Sequence, residues 1–325
     1  MAICRNGKEG FRGIGEEKVV AILLSTYNGE RYLEEQLASF EDQSYPCWQL
    51  LWRDDGSTDS TRYLMEEFTG RVGDVRCREV NSNAGRLGVQ KSFLSLLSAA
   101  QEYALVAFAD QDDVWLPDKL ARGVKCLERV RGNSAALYCG RQILVDNALR
   151  VLRWSRSFST ELPFPSSIAQ NIATGCTVML NQEAIRVIER SVPPEVSLHD
   201  WWSYIVVTAV QGQVVFDDDA HILYRQHSGN VIGGPSASLR IWRALRKGPG
   251  FALEVIDAHA LAVQESVLGL PAEARAKLLS VRKALRGSFW ERLRFVLGKE
   301  LRRQHWSETM LLSFWILAHR IRSAG

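Results

Sequence analysis

The 325-residue chain has no apolar run long enough to cross a bilayer. The longest near its C-terminus, Met310 to Ala318, is broken by Ser313 and falls far short of the roughly 20 residues a spanning helix needs. The first 17 residues are polar and glycine-bearing, with no apolar core of the kind that marks a secretory signal. The six cysteines are scattered without a C-x-x-C pair, which argues against a zinc site or a disulfide framework and suits a reducing cytosol. Glycine-rich phosphate loops are missing where they would be needed. A dinucleotide fold requires G-x-G-x-x-G between its first strand and helix, and here that turn holds only Gly29. Gly10-x-x-Gly13-x-Gly15 precedes the first strand, and Gly85-x-x-Gly88 is incomplete. Any nucleotide must therefore be held by carboxylates and a metal. The net charge of +3 implies no nucleic-acid partner. It is unevenly placed: residues 271–325 carry 12 Lys and Arg against 4 Asp and Glu, a local +8 that leaves −5 for residues 1–270.

The chain is organised around residues 104–119. The apolar run Ala104 to Ala109 reads as a strand buried on both faces and ends in Asp110, Asp112 and Asp113. Buried charge is costly unless paired or bound to a cation. The C-terminal edge of a parallel sheet is where α/β folds keep their ligands, and two aspartates two residues apart can reach one hard cation such as Mg²⁺ or Mn²⁺. The plainer alternative is a solvated acidic loop capping the next helix through Asp113 or Asp118.

Around this stretch, strands and helices alternate. Strands are expected at 18–26, 48–52, 75–80 and 104–109, and helices at 30–42, from about 58 to 68, at 89–100 and at 119–130. The spacing implies a doubly wound parallel sheet. The second strand also ends in carboxylates, Asp54 and Asp55, so two acidic clusters fall on one sheet edge. The second half is less regular. Strands are expected at 135–138 and 141–145, an irregular loop over the site at 153–168, a glycine turn into a strand at 173–180, helices at 182–191 and 200–210, and strands at 214–216 and 222–225 around Asp217-Asp218-Asp219, read as a solvated turn. Asp200 opens its helix, where an aspartate is commonly only a cap. The neighbouring His199, Trp201 and Trp202 add aromatic planes of the kind that hold a sugar ring. His227 closes the last strand before a glycine-rich loop.

Taken in order, Ser25-Thr26-Tyr27-Asn28-Gly29, Asp54-Asp55-Gly56-Ser57-Thr58-Asp59, Asp110-Gln111-Asp112-Asp113-Val114-Trp115 with Lys119-Leu120, Thr174-Gly175-Cys176, His199-Asp200-Trp201-Trp202 and Arg225-Gln226-His227 resemble a family 2 glycosyltransferase over residues 18–233. The last two groups look most like the bacterial rhamnosyltransferase branch. The resemblance implies the GT-A fold: an α/β, doubly wound, mostly parallel sheet flanked by helices. It would occupy residues 18–235, after a polar segment 1–17 and before a basic helical extension 236–325.

The resemblance also implies roles. Asp112 would hold Mg²⁺ or Mn²⁺ against the donor diphosphate, Asp110 would contact the ribose or the metal shell, and His227 would be a further metal or phosphate ligand. Thr26, Tyr27, Asn28 and Asp54 or Asp55 would contact the nucleotide. Asp200 would be the catalytic base, with Gly175, His199, Trp201 and Trp202 on the acceptor side. The implied reaction is inverting transfer from a dTDP- or UDP-linked sugar, rhamnose by the branch, to a saccharide or lipid-linked acceptor in surface polysaccharide synthesis. The setting would be the cytoplasm, at the inner face of the membrane. The loop after the third strand has Arg86 and Lys91 but no acidic group, so base selectivity does not carry over. Two other functions fit a similar frame. A non-catalytic sugar-binding module would be expected to lose Asp112 or Asp200, and both are present. A nucleotidyltransferase usually has a glycine-rich basic loop after its first strand, and this chain has none. The basic, aromatic-bearing C-terminal helices suit either a helical cap packed on the sheet, a dimer contact or an anionic membrane surface.

Overall fold

A computed structural model describes residues 18–80, 85–130, 132–162, 164–227, 237–267 and 269–321, with the backbone alone over 237–247. The polar segment 1–17, the loop 81–84 and the expected boundary near 235 lie outside them. Of the cysteines, Cys77, Cys126, Cys139 and Cys176 are free thiols, whereas Cys47 is disulfide-bonded.

The first half alternates as expected: β1 (Val20–Thr26), α1 (Leu33–Glu41), β2 (Trp48–Asp54), α2 (Thr61–Val72), β3 (Cys77–Glu79), α3 (Val89–Ala99) and β4 (Leu105–Ala109). β3, β2, β1 and β4 lie side by side and are all parallel. Side chains alternate across a strand, and both faces are filled. Ala21 and Leu23 of β1 enter one core with Val106 and Phe108 of β4. Val20, Ile22 and Leu24 enter the other with Leu105, Ala107 and Ala109. This two-sided burial explains why these strands read as unbroken apolar runs.

Beyond β4 the sheet changes character. β5 (Val114–Trp115) and α4 (Lys119–Glu128) precede β6 (Ala136–Val145), β7 (Val151–Trp154), β8 (Met179–Asn181), α5 (Gln182–Glu189), α6 (His199–Ala209) and β9 (Gln213–Arg225). The order is β3-β2-β1-β4-β8-β6-β9-β5, with β7 paired to β6. β8 runs antiparallel to both β4 and β6, and β5 antiparallel to β9. The sheet is therefore mixed, its parallel part confined to the first four strands and the β6–β9 pair.

Three expectations are corrected here. The strands expected at 135–138 and 141–145 are one, running through Cys139-Gly140. The acidic triplet is not a solvated turn, because β9 passes straight through it. The register jumps from Gly140↔Asp217 to Arg141↔Ala220, a bulge that absorbs the extra residues. Asp217 is buried, accepting from Arg122 Nε at 2.7 Å and from the Tyr138 hydroxyl at 3.0 Å. Gly140 sits opposite, where a Cβ would come within 3.2 Å of the Asp217 carbonyl. Finally, the 153–168 stretch begins as β7, contributes a short 3-10 turn at Ser166–Ile168 and does not line the cleft described below.

The C-terminal region is helical, as expected: α7 (Ala237–Ser266, broken at Gly248), α8 (Ala272–Arg286), α9 (Phe289–Gly298) and α10 (Trp306–Ala318). The core that holds Leu23 and Phe108 continues through Trp202 to Leu253, Leu285 and Trp315, so these helices pack on the same core as the sheet.

Replacing Arg122 by Met would strip Asp217 of its charged partner while keeping the aliphatic stem. A loss of about 1–2 kcal/mol in urea-unfolding free energy is expected for this partly exposed pair.

Candidate active site

The register pairs Thr26 with Asp54 and Leu24 with Ala109. The three parallel strands thus end together, and a cleft of about 270 Å³ opens at that edge. Its walls bring together residues from remote segments: Thr26 and Tyr27, Asp55, Asp110 and Asp112, Gly175, His199 and Asp200.

On one side the loops after β1, β2 and β4 are stitched together. Gln111 accepts from the Tyr27 backbone N–H at 2.8 Å and donates to its carbonyl at 2.9 Å. Gly29 makes room for this, since a Cβ there would fall inside the Gln111 amide. Asn28, in a left-handed conformation at φ 47°, accepts from Thr58 N–H at 2.8 Å. Its backbone N–H donates to Ser57 Oγ at 2.9 Å. Asp54 accepts from Thr26 Oγ1 at 3.1 Å and from the backbone N–H groups of Gly56 and Ser57 at 3.1 and 2.8 Å. Asn28 and Asp54 thus hold the turn geometry of the loops after β1 and β2. Asp55 lines the cleft, but both oxygens are taken, by Arg53 Nη1 and Leu87 N–H at 2.6 Å and by Gly88 N–H at 2.8 Å. Burial pushes its carboxyl upward, yet the bonds from Leu87, Arg53 and Gly88 outweigh that and hold it below the usual range. Its role is to anchor the 85–88 loop. Arg86 from that loop lies 4.3 Å from the Tyr27 ring centre, a cation–π contact on the cleft wall.

The acidic corner is built across the sheet. Asp112 Oδ2 lies 2.8 Å from His227 Nε2, 115 residues away. Fully buried Arg225 fixes the pair. It donates through Nε to the Asp112 carbonyl at 2.9 Å and through Nη1 to the Asn147 carbonyl at 2.6 Å, and it pairs with Glu35. The Tyr32 ring lies between, 4.4 Å from the guanidinium and 5.1 Å from the His227 ring. Asp113 is buried beneath, accepting from Arg225 N–H at 3.1 Å through Oδ1, while Oδ2 lies beside the Cys176 thiol without a conventional partner. Burial, then the charges of Asp112 and Asp110, push its carboxyl well above the usual range. The same causes, burial first and then Asp112 and Asp200, push Asp110 up to about 7. Lys119 is buried too, its ammonium 3.5 Å from the Trp115 ring centre, and burial lowers it to about 7. A surplus of desolvated carboxylate with one imidazole suits a hard divalent cation of the Mg²⁺ or Mn²⁺ type. Asp112 and His227 would hold it, with Asp110 beside them.

Across the cleft, Asp200 sits in the first turn of α6. Its Oδ2 accepts from Gly175 N–H at 3.0 Å and from Asn171 Nδ2 at 3.2 Å, and Oδ1 accepts from Trp201 N–H at 2.6 Å. Burial pushes its carboxyl up to about 6, against these lowering bonds. His199 stacks on Phe93 at 3.8 Å, and burial lowers it to about 3, so the imidazole is neutral. Gly175 is confined against it, since a Cβ would lie 3.1 Å from His199 Nε2. The two tryptophans depart from expectation. Trp201 turns to donate to the Ser167 carbonyl at 2.8 Å and packs on the His259 ring at 4.5 Å. Trp202 is fully buried and donates to Ser191 Oγ at 2.8 Å. Neither lines the cleft, because Trp201 packs toward α7 and Trp202 toward the core. Gln111, Asn171 and the linking guanidinium of Arg225 were not foreseen as site residues. Arg225 stood within a recognised group, but Asn171 carries no sequence signal, since only the folded 171–175 turn brings it to Asp200.

Residues 21–192 match the family model described as Glycosyl transferase family 2. The chain belongs to that family. This glycosyltransferase is 28% identical over 225 residues to the dTDP-rhamnosyl transferase RfbG of Shigella flexneri, covering 65% of this chain and 73% of that one. Its fold is similar to that of S. aureus TarS 1-349, solved with UDP-GlcNAc (TM-score 0.57, 18% identity, 90% of this chain and 83% of that one). It is also similar to the mannosyltransferase PcManGT from Pyrobaculum calidifontis, solved with GDP-Man and Mn²⁺ (TM-score 0.50, 19% identity, 92% and 85%). These likenesses show a shared GT-A fold.

Asp200→Asn should lower kcat by roughly 10²–10⁴-fold with nucleotide affinity unchanged. With Asp200 as the proposed base, which must be ionised to accept a proton, wild-type kcat/KM should fall as pH drops through about 6. Trp202→Phe should cost about 1–3 kcal/mol of stability in denaturant unfolding without raising the acceptor KM, because its partner is Ser191.

Proposed function

We propose that this glycosyltransferase is an inverting, metal-dependent enzyme. It moves a sugar, rhamnose in the reading that its relative RfbG supports, from a dTDP- or UDP-linked donor to a hydroxyl of a saccharide or lipid-linked saccharide acceptor in surface polysaccharide synthesis. The observation that carries the proposal is that Asp200 and the Asp110/Asp112 corner line opposite parts of one cleft.

In this mechanism the donor's nucleoside sits against Tyr27 and Arg86, and its diphosphate points to Asp112 and His227. A bound divalent cation would neutralise charge developing on the departing diphosphate. Asp200, fixed by Gly175 and Asn171, accepts the proton of the acceptor hydroxyl as that oxygen attacks the anomeric carbon. Its raised basicity suits a base working near neutral pH. Neutral His199 beside it adds no positive charge to oppose that proton transfer. One displacement inverts the anomeric centre. The helical extension would bring the cleft to the inner membrane face, where a lipid-linked acceptor resides.

A thermal-shift panel of UDP-, dTDP- and GDP-sugars with and without Mn²⁺ tests the donor assignment. A cognate ligand at a hundredfold over its Kd should stabilise the protein by about 2.7 kcal/mol. The stabilisation should shrink in EDTA and be insensitive to EDTA in Asp112→Asn. Equal stabilisation of the wild type with and without chelator would remove the metal from the proposal.

A further inference from the structure

We infer that the outer face of α9 and α10 is a membrane-surface contact whose partner is an anionic phospholipid leaflet. This extends the reading of a lipid-linked acceptor by assigning the residues that would meet the lipid.

α10 has a single charged residue in 13, Glu308, and it turns inward to pair with Arg156 and Arg303. Leu312, Trp315 and Ile316 bury one side of the helix in the core. On another side Trp306, Met310 and Phe314, spaced four apart and so on one stripe, are 70%, 63% and 63% exposed. A helix apolar on all sides is ordinarily covered on all sides, yet no described residue covers this stripe. α9 packs beside α10 and exposes Trp290 and Leu297, seven apart, with Arg294 between them on the same face. The α9 start is fixed by a capping box between Ser288 and Glu291, so this face is presented by a well-formed helix.

Charge decides the occupant. Arg294 on α9, and Lys299 and Arg302 in the connection between α9 and α10, are exposed and make no ion pair among the described residues. Residues 271–325 carry the local +8 noted above. In a two-fold contact between copies the same patch meets itself, so these cations would face their own kind, and opposed like charges disfavour association. An anionic leaflet instead supplies the counter-charge, and exposed Trp side chains suit the headgroup region. At 13 residues α10 is about 20 Å long, shorter than the hydrocarbon core of about 30 Å. No helix among the described residues is long and apolar enough to cross a membrane. The geometry is that of a helix lying in the interface plane.

The test is flotation of the full chain with vesicles of phosphatidylglycerol and phosphatidylethanolamine, and with vesicles of phosphatidylcholine alone. The wild type should float with the anionic vesicles and at least about tenfold less with the neutral ones. Two triple variants, Trp306→Ser/Met310→Ser/Phe314→Ser and Arg294→Glu/Lys299→Glu/Arg302→Glu, should each lower partitioning at least about tenfold while keeping wild-type nucleotide affinity and thermal midpoint. All the changed side chains are exposed, so the fold is expected to survive. A wild type that stays with the unbound fraction, or variants that float equally well, would overturn the inference. So would a wild-type dimer that the apolar variant converts to monomer in sedimentation velocity, which would assign the stripe to a second copy. Because flotation needs no turnover, its failure would leave the transfer reading standing.

Discussion

The structure depends on how it handles negative charge taken out of water at the end of β4. Three carboxylates follow a strand buried on both faces, and each charge in that position is costly unless compensated. The chain meets the cost in three ways. Asp113 is buried with one oxygen on the Arg225 backbone and its acidity suppressed. Asp112 faces His227. Asp110 is left half-buried and raised, its charge uncompensated by any close cationic side chain except the buried Lys119. In the proposed reading, a hard divalent cation would supply the positive charge that this carboxylate lacks.

That constraint explains much of the second half of the fold. β9 must reach the end of β4 for Arg225 and His227 to meet Asp112 and Asp113, and it is long enough to do so because it runs uninterrupted through the acidic triplet. The bulge opposite Gly140 adjusts the register on the way. Arg225 then gathers Glu35, Asn147 and the Asp112 carbonyl, tying α1, the β6–β7 connection and the acidic turn to one guanidinium. Its planar fork of donors suits this better than a lysine could.

The acceptor side is organised independently. Asp200 is held by backbone N–H groups and an amide, which orient its carboxylate without adding charge. The residue after it turns away from the cleft: Trp201 leans on His259 of α7, and burial lowers that histidine to about 4, so the contact is between neutral rings. Through this contact and the shared core, the C-terminal helices support the helix that carries Asp200.

The amino-acid sequence determined the elements whose signals are local. Two-sided apolar runs marked β1, β2 and β4. The carboxylates that end β2 and β4 marked the cleft edge, because a charge at the end of a buried strand is costly unless a partner or ligand compensates it. Ordered short motifs were enough to indicate the family. Local signals failed where a residue's partner is remote. Asp217 looked like a surface turn because its counter-charge, Arg122, lies 95 residues away. Trp201 and Trp202 looked like sugar platforms because the direction a helix presents to its neighbours is set by packing. Asn171 and the linking role of Arg225 had no local signature. Composition and periodicity specify which residues are buried and which are charged. Only tertiary structure decides which buried charge meets which partner, because that pairing depends on register and crossover between segments far apart in the chain.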